Sequence, residues 1–211
     1  MITCCYTEIK HEWNQQELAE RLVLLPETLQ QQALRKRQWI DRQLSIGGKL
    51  LLLKLLQERN NECSLADLGY NEYRRPYFDS SIDFNIAHSG NIVICGMTDE
   101  GQIGVDIEQV SQLDFNDFTD FFTKNEWHYI NNHPDKFDGF YNFWTKKEAV
   151  LKAIGSGFHT PLNSVDVSNE SLVYDDITYH IMALNIHPGY KCHIATTVLP
   201  QNIQVQEVTF D

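Results

Sequence analysis

The chain has 211 residues, 42% of them hydrophobic and 11% aromatic, which is the composition of a packed globular protein and excludes a disordered one. Its net charge of −12 excludes a general nucleic-acid binder, which needs a basic footprint. Any anionic ligand must therefore be held by a local cationic cluster working against the field of the whole chain.

The five cysteines, Cys4, Cys5, Cys63, Cys95 and Cys192, form no CxxC pair and are odd in number. Neither a disulfide framework nor a zinc site is indicated, and reduced thiols are the default. The N-terminus lacks the basic-then-apolar pattern of a signal peptide. The most apolar run, Leu50–Leu56, is too short to span a bilayer and carries Lys54. A soluble, cytoplasmic protein with no membrane partner is expected.

In chain order, residues 2–9 read as a short strand, and 15–25 as a helix ended near Pro26. Residues 27–56 read as a longer helical stretch with a candidate break at Gly47-Gly48. Its first part is basic (Arg35, Lys36, Arg37, Arg42, Lys49), which on spacing alone is a solvated face. Its second part, LLLKLLQ, is core-like. Residues 65–68 suggest a turn of helix, and 71–79 are turn-rich, with Arg74 and Arg75 just before Pro76. Residues 83–87, 91–98 and 102–108 read as strands, with Asp99-Glu100-Gly101 as a hairpin-type turn between the last two. Residues 116–122 look helical. Thr123 then caps a short helix, with Glu126 at N3 as in a capping box. In the last third, 164–167, 171–174, 178–184, 190–198 and 203–210 read as successive strands of one antiparallel sheet. The order helix–strands, helix–strands suggests two similar α/β halves, residues 1–103 and 104–211, with an α+β fold.

Between the capped helix and the last strands lies FYNFWTKKEAVLKAIGSG, Phe140–Gly157. Apolar positions 140, 143, 144, 150, 151 and 154 recur at helical spacing, and Gly155-Ser-Gly157 is a helix stop. Glu148 and Lys152 sit four apart and share a face, with Lys147 one step round. An amphipathic helix with a solvated Glu–Lys pair is the commonplace reading. Two cations flanking one carboxylate could instead clamp a metal-bound polyphosphate, and the helix alone does not decide.

Asp106 and Glu108, two apart on a strand, emerge on one face about 6.6 Å apart. Two such carboxylates repel unless a cation sits between them, a role that suits Mg²⁺. A polar edge strand is the simpler reading, and Glu148 as a third carboxylate would change the balance. His88-Ser89, at a strand end, could bind phosphate or form a polar turn. The adjacency of the two residues and the lack of GxSxG argue against a Ser–His hydrolase. HExxH, Walker A, GxGxxG and EF-hand motifs are absent.

Taken together, three stretches resemble the Sfp-type 4′-phosphopantetheinyl transferases. They are Phe84–Gly90 (FNIAHSG), Gly104–Glu108 (GVDIE) and Phe143–Lys152 (FWTKKEAVLK), in the family's order and spacing. Residues 121–126 and 188–191 fit as well. The resemblance implies two subdomains related by a pseudo-two-fold, with coenzyme A in the cleft between them. It implies transfer of the 4′-phosphopantetheine arm to a serine of an acyl or peptidyl carrier protein, releasing 3′,5′-ADP.

Carried over residue by residue, the resemblance places Asp106, Glu108 and Glu148 on Mg²⁺ at the pyrophosphate. It places Lys147 and Lys152 on the phosphates, and His88, Ser89 and Arg75 at the 3′-phosphate end. Arg42 and Ser45 would also contact the coenzyme. Glu148 is the expected proton acceptor for the carrier serine. Two departures stand out: Leu44 replaces a family Arg, and Thr28 with a Gln run replaces the basic residues after Pro-Glu. Arg42, Arg37 or Lys36 is expected to substitute. Carrier proteins are usually acidic, so docking to this acidic chain needs a local apolar patch, for which Phe115–Tyr129 is the candidate beside a simple core role. A monomer is expected. The competing readings are a coenzyme A binder without transfer activity and a scaffold that binds no coenzyme.

Overall fold

The computed structural model describes residues 1–59 and 62–210. It contains two four-stranded sheets, each carrying one long helix. The N-terminal half begins with β1 (Ile2–Glu8), followed by α1 (Gln15–Leu22), α2 (Glu27–Leu34) and α3 (Trp39–Glu58). A two-stranded ribbon, β2 (Gly69–Tyr70) with β3 (Pro76–Tyr77), precedes β4 (Asp83–Ser89) and β5 (Ile92–Thr98). The C-terminal half comprises β6 (Ile103–Gln109), α4 (Lys124–Asn132), α5 (Lys136–Ile154), β7 (Ser171–Tyr174), β8 (Ile177–Ala183), β9 (Tyr190–Thr196) and β10 (Ile203–Glu207).

The sheet orders are β10-β1-β5-β4 and β6-β9-β8-β7. The units β1–α3–β4–β5 and β6–α5–β8–β9 share one topology: the first strand pairs antiparallel with the last, and the middle strand lies outside it. This α+β architecture of two similar halves is the one expected. Some details differ. Residues 99–102 do not close a hairpin, because β5 and β6 belong to different sheets. Residues 164–167 form no strand; a 3₁₀ turn occupies Leu162–Ser164. And β10 leaves the C-terminal half to pair parallel with β1, so the division at 103/104 does not describe the last strand.

The helical stretch breaks after Leu34, within the basic run, and not at Gly47-Gly48. The two glycines lie inside α3 where it presses on the sheet. A Cβ on Gly48 would stand 2.8 Å from Ile86, and one on Gly47 would stand 3.2 Å from Val93. The apolar residues of α3 (Leu51, Leu52, Leu55, Leu56) pack with Cys5, Val93, Cys95 and Met97 from the near face of the sheet. The far face contributes Cys4, Ile92 and Ile94 to a second core shared with Ile103, Val105 and Ile107 of β6. Buried on both faces, β5 reads as a continuous apolar run and does not alternate. A third core, around Phe140, Val150 and Leu151, joins α5 to the C-terminal sheet.

The two sheets meet edge to edge. β4 and β6 are each the last strand of their sheet, and side chains take the place of a backbone ladder between them. Asp83 accepts the Ile103 amide at 2.7 Å, Asn85 that of Val105 at 3.0 Å, and Ser89 that of Gln109 at 3.1 Å. Every second residue of β4 faces this seam, as the strand period requires. Three of the edge amides of β6 are thereby satisfied without fusing the two sheets into one.

Candidate active site

Asp106 and Glu108 stand on β6 at the seam, and α5 crosses directly behind them. The approach is close because Gly104 has no side chain: a Cβ there would lie 2.0 Å from the Ala149 carbonyl oxygen. α5 starts on an Asp135 cap, which accepts the Phe137 and Asp138 amides. It ends at Gly155 in the left-handed conformation (φ 76°). One face of its last turns carries Glu148 and Lys152 to the carboxylates of β6.

Lys152 Nζ donates to Asp106 Oδ1 at 2.5 Å, and Asp106 is 4% exposed. The other oxygen, Oδ2, is buried without a hydrogen-bond partner. Burial first, then Glu108 and Glu148, push the Asp106 carboxyl up to about 7 against the pull of Lys152. Glu148, half-buried, is also held above the usual carboxylate range by burial, with Glu108 adding and Lys152 opposing. Burial works against the Lys152 ammonium, but Asp106, Glu148 and Glu108 together keep it above its ordinary range. The field at this point therefore lacks positive charge, and one buried oxygen lacks a partner. These are the marks of a donor set that fits a hard divalent cation. Among the described residues no three His, Cys, Asp or Glu side chains make a finished metal cage. A cation held here takes its remaining ligands from water and substrate, as Mg²⁺ commonly does.

Ser89 has a different part from the one expected. Its hydroxyl donates to Glu108 Oε2 at 2.6 Å while accepting the Gln109 amide, so it orients a carboxylate across the seam. His88 is exposed beside it and lies below the usual histidine range, through desolvation first and then Lys152 and Lys36. Lys36 belongs to the junction between α2 and α3. Arg42, half-buried there, donates to the Lys36 carbonyl at 3.3 Å and leaves Nε without a partner. Ser45 follows one turn later on α3, also half-buried.

Arg75 lines the cleft with part of its guanidinium engaged: its Nη2 donates to Asp83 at 2.8 Å and to the Ile103 carbonyl at 3.0 Å, which stitches the halves together, while its Nε is buried without a partner. One expectation needs correction. Lys147 is not at the cleft at all. It is fully buried, 2.8 Å from the equally buried Glu126, and its Nζ donates to the Leu162 and Val165 carbonyls. The signal was in the sequence. Position 147 lies three or four residues from 143, 144, 150 and 151, in the middle of the apolar stripe, and a lysine there needs a buried anion. Glu126 supplies it from the capping box: one oxygen accepts the Thr123 amide and the other the Val167 amide.

A cleft of about 260 Å³ opens in front of this group, lined by Arg74, Arg75 and Asn85 from one half and Glu148, Lys152 and Gly155 from the other. Larger hollows by Met1 and Leu199, and between Asp138 and Pro188, lie away from the Asp106–Lys152 pair. No helix among the described residues is long and apolar enough to cross a membrane.

Residues 102–197 match the model of the 4′-phosphopantetheinyl transferase superfamily. The chain is 30% identical to the 4′-phosphopantetheinyl transferase gsp of Aneurinibacillus migulanus, over 80% of this chain and 77% of that protein. It is 32% identical to the 4′-phosphopantetheinyl transferase ffp of Bacillus subtilis, over 72% of each. It is 30% identical to 4′-phosphopantetheinyl transferase Sfp of the same species, over 67% of this chain and 68% of that one. With identity of this order across most of both chains, and the carboxylates and lysine of the shared motifs gathered at one seam, the chain belongs to the 4′-phosphopantetheinyl transferase family.

Proposed function

We propose that the chain transfers the 4′-phosphopantetheine arm of coenzyme A to a serine of an acyl or peptidyl carrier protein, releasing 3′,5′-ADP, with Mg²⁺ as its cofactor. The observation that carries this reading is the Asp106–Lys152 contact, with the free Asp106 Oδ2 and Glu148 beside it, at the mouth of an inter-half cleft.

In the reaction the serine oxygen forms a bond to the phosphorus that bears the pantetheine, and the bond from that phosphorus to the bridging oxygen breaks. Negative charge builds on the leaving phosphate of 3′,5′-ADP. Lys152 is placed to stabilise that charge. Glu148, beside Lys152 on the same face of α5, is the residue that takes the serine proton. Asp106, Glu108 and Glu148 would hold Mg²⁺, which neutralises pyrophosphate charge and polarises the reacting group. Lys152 fixes Oδ1 of Asp106, which leaves Oδ2 for that cation, and Ser89 fixes Glu108. His88, Arg42 and Ser45 are the residues expected to meet the nucleotide phosphate.

The carrier docks on the segment ahead of α4. Most of its aromatics are inward: Phe118 and Phe122 pack on Phe140 and Trp144. Phe121 and Tyr129 remain exposed, at 39% and 62%. The side chains of Phe115 and Asn116 lie outside the described residues. The protein acts in the cytoplasm as a monomer.

Release of 3′,5′-ADP from coenzyme A, followed chromatographically, tests the reading. Release should require a carrier with its attachment serine intact. Equal release with the serine replaced by alanine would mean hydrolysis and not transfer.

A further inference from the structure

Gly90 and Asn91 form the two-residue turn that joins β4 to β5, just after Ser89. Asn91 commits each of its polar groups to partners distant in sequence. Its Nδ2 donates to Glu8 Oε1 at 3.0 Å, and its carbonyl accepts the Ile9 amide at 2.8 Å. Its Oδ1 accepts the Tyr190 hydroxyl at 2.9 Å, and its amide donates to the same hydroxyl oxygen at 3.4 Å. Burial, with Glu8 adding and the Asn91 amide opposing, holds the Tyr190 phenol above its ordinary range, so it stays a donor. Gly90 has a positive φ of 56°, as the first residue of such a turn often does. It also has no room for a side chain: a Cβ would lie 2.3 Å from the Tyr190 hydroxyl and 2.5 Å from Gln109 Oε1. Tyr190 and Gln109 are register partners on β9 and β6, so the C-terminal sheet grips a turn of the N-terminal one.

That grip bears on Glu108. Ser89 orients Glu108 from across the seam with a 2.6 Å hydrogen bond. The ladder between β4 and β5 fixes Ser89 within its own sheet but does not set its distance from β6, which belongs to the other. At this end of the seam that distance is set by the Ser89–Gln109 bond and by the Tyr190–Asn91 pair. We infer that Tyr190 is a positioning residue for the metal site: its hydroxyl, through Asn91 and the Gly90 turn, holds Ser89 in register with Glu108. The inference rests on the Mg²⁺ role of Glu108 proposed above. Supports of this kind, one step behind a ligand, decide how well a carboxylate is aimed at its cation.

The test is calorimetric binding of coenzyme A across a Mg²⁺ titration, in the wild type, Tyr190→Phe, Ser89→Ala and the double variant. Tyr190→Phe removes one oxygen and keeps the ring. It should raise the half-saturating Mg²⁺ concentration about fivefold, the worth of one hydrogen bond. In the Ser89→Ala background the same change should add nothing, because the hydroxyl acts through Ser89. Coenzyme A affinity in EDTA should be the same for the wild type and Tyr190→Phe. A fall in Tm with no change in the Mg²⁺ midpoint makes Tyr190 a structural brace only and overturns the inference. An equal shift of the midpoint in both backgrounds also overturns it, since the effect then bypasses Ser89. Wild-type binding that is indifferent to Mg²⁺ overturns the metal reading beneath it.

Discussion

Lys147 and Glu126 face each other at 2.8 Å with neither side chain exposed to solvent. The pair fastens α4 and the 162–167 segment to α5, one residue from Glu148. Removing one partner leaves the other charged and buried, so Lys147→Met alone should cost about 3–5 kcal/mol in urea unfolding. Lys147→Met with Glu126→Gln should recover part of that loss, a coupling that the double-mutant cycle measures, while the Leu162 and Val165 carbonyls still lack their donor. The KM for coenzyme A should stay near the wild-type value in the double variant. A large rise in that KM, with stability intact, would return Lys147 to the phosphates.

Ser89 holds Glu108 from the opposite sheet. Partners that orient a metal ligand commonly matter tenfold or more. Ser89→Ala should therefore raise the half-saturating Mg²⁺ concentration about tenfold. Its effect should not depend on whether the coenzyme has a 3′-phosphate. If the loss appears only with coenzyme A and not with the dephospho form, Ser89 is a phosphate contact instead.

Gly104 is where β6 touches the backbone of α5. The neighbouring atoms are main-chain and cannot swing aside, so Gly104→Ala must push the helix off the sheet. A loss of about 3 kcal/mol or more is expected in denaturant titration. Because Lys152 rides on the displaced helix, transfer should fall even in the fraction that remains folded. A variant of wild-type stability would contradict the packing described.

His193 on β9 is 2% exposed and shares a 2.7 Å hydrogen bond between Nδ1 and Thr145 Oγ1 of α5. Burial, then Lys146 and Lys191, lower it from 6.5 to about 3. The folded chain thus refuses a proton that the unfolded chain accepts. Stability from this group is complete above about pH 6.5 and is lost as pH falls toward 3, at up to about 1.4 kcal/mol per pH unit. His193→Asn should flatten the stability profile between about pH 6 and 4 relative to the wild type. Parallel profiles in thermal melts would show that His193 titrates normally.

Local chemistry in this sequence was legible where periodicity or capping decided it. The Thr123–Glu126 capping box, the Gly155 stop of α5 and the strands carrying Asp106 and Glu108 all appear where the pattern puts them. What escaped depended on partners distant in sequence. Residues 99–102 have the composition of a hairpin turn, yet β5 is already paired with β1 and β4, so the chain crosses to another sheet. β10 alternates like its predecessors, but Val208 and Phe210 pack into the N-terminal core, and Arg21 donates to the Phe210 carbonyl. Lys147 was read by its motif and not by the apolar stripe it interrupts. Arg75 was likewise assigned without Asp83, which lies close in sequence but binds it only once β4 forms.

Whole-protein mass spectrometry of an apo carrier, incubated with coenzyme A and this protein, tests the central claim most directly. The carrier should gain one phosphopantetheine arm in the presence of Mg²⁺. EDTA should abolish the gain, and Asp106→Asn should slow it by about a hundredfold or more. If neither acyl nor peptidyl carriers gain mass although coenzyme A binds, or if Asp106→Asn matches the wild type, the assignment of the Asp106–Glu148–Lys152 cleft as a transferase site is wrong.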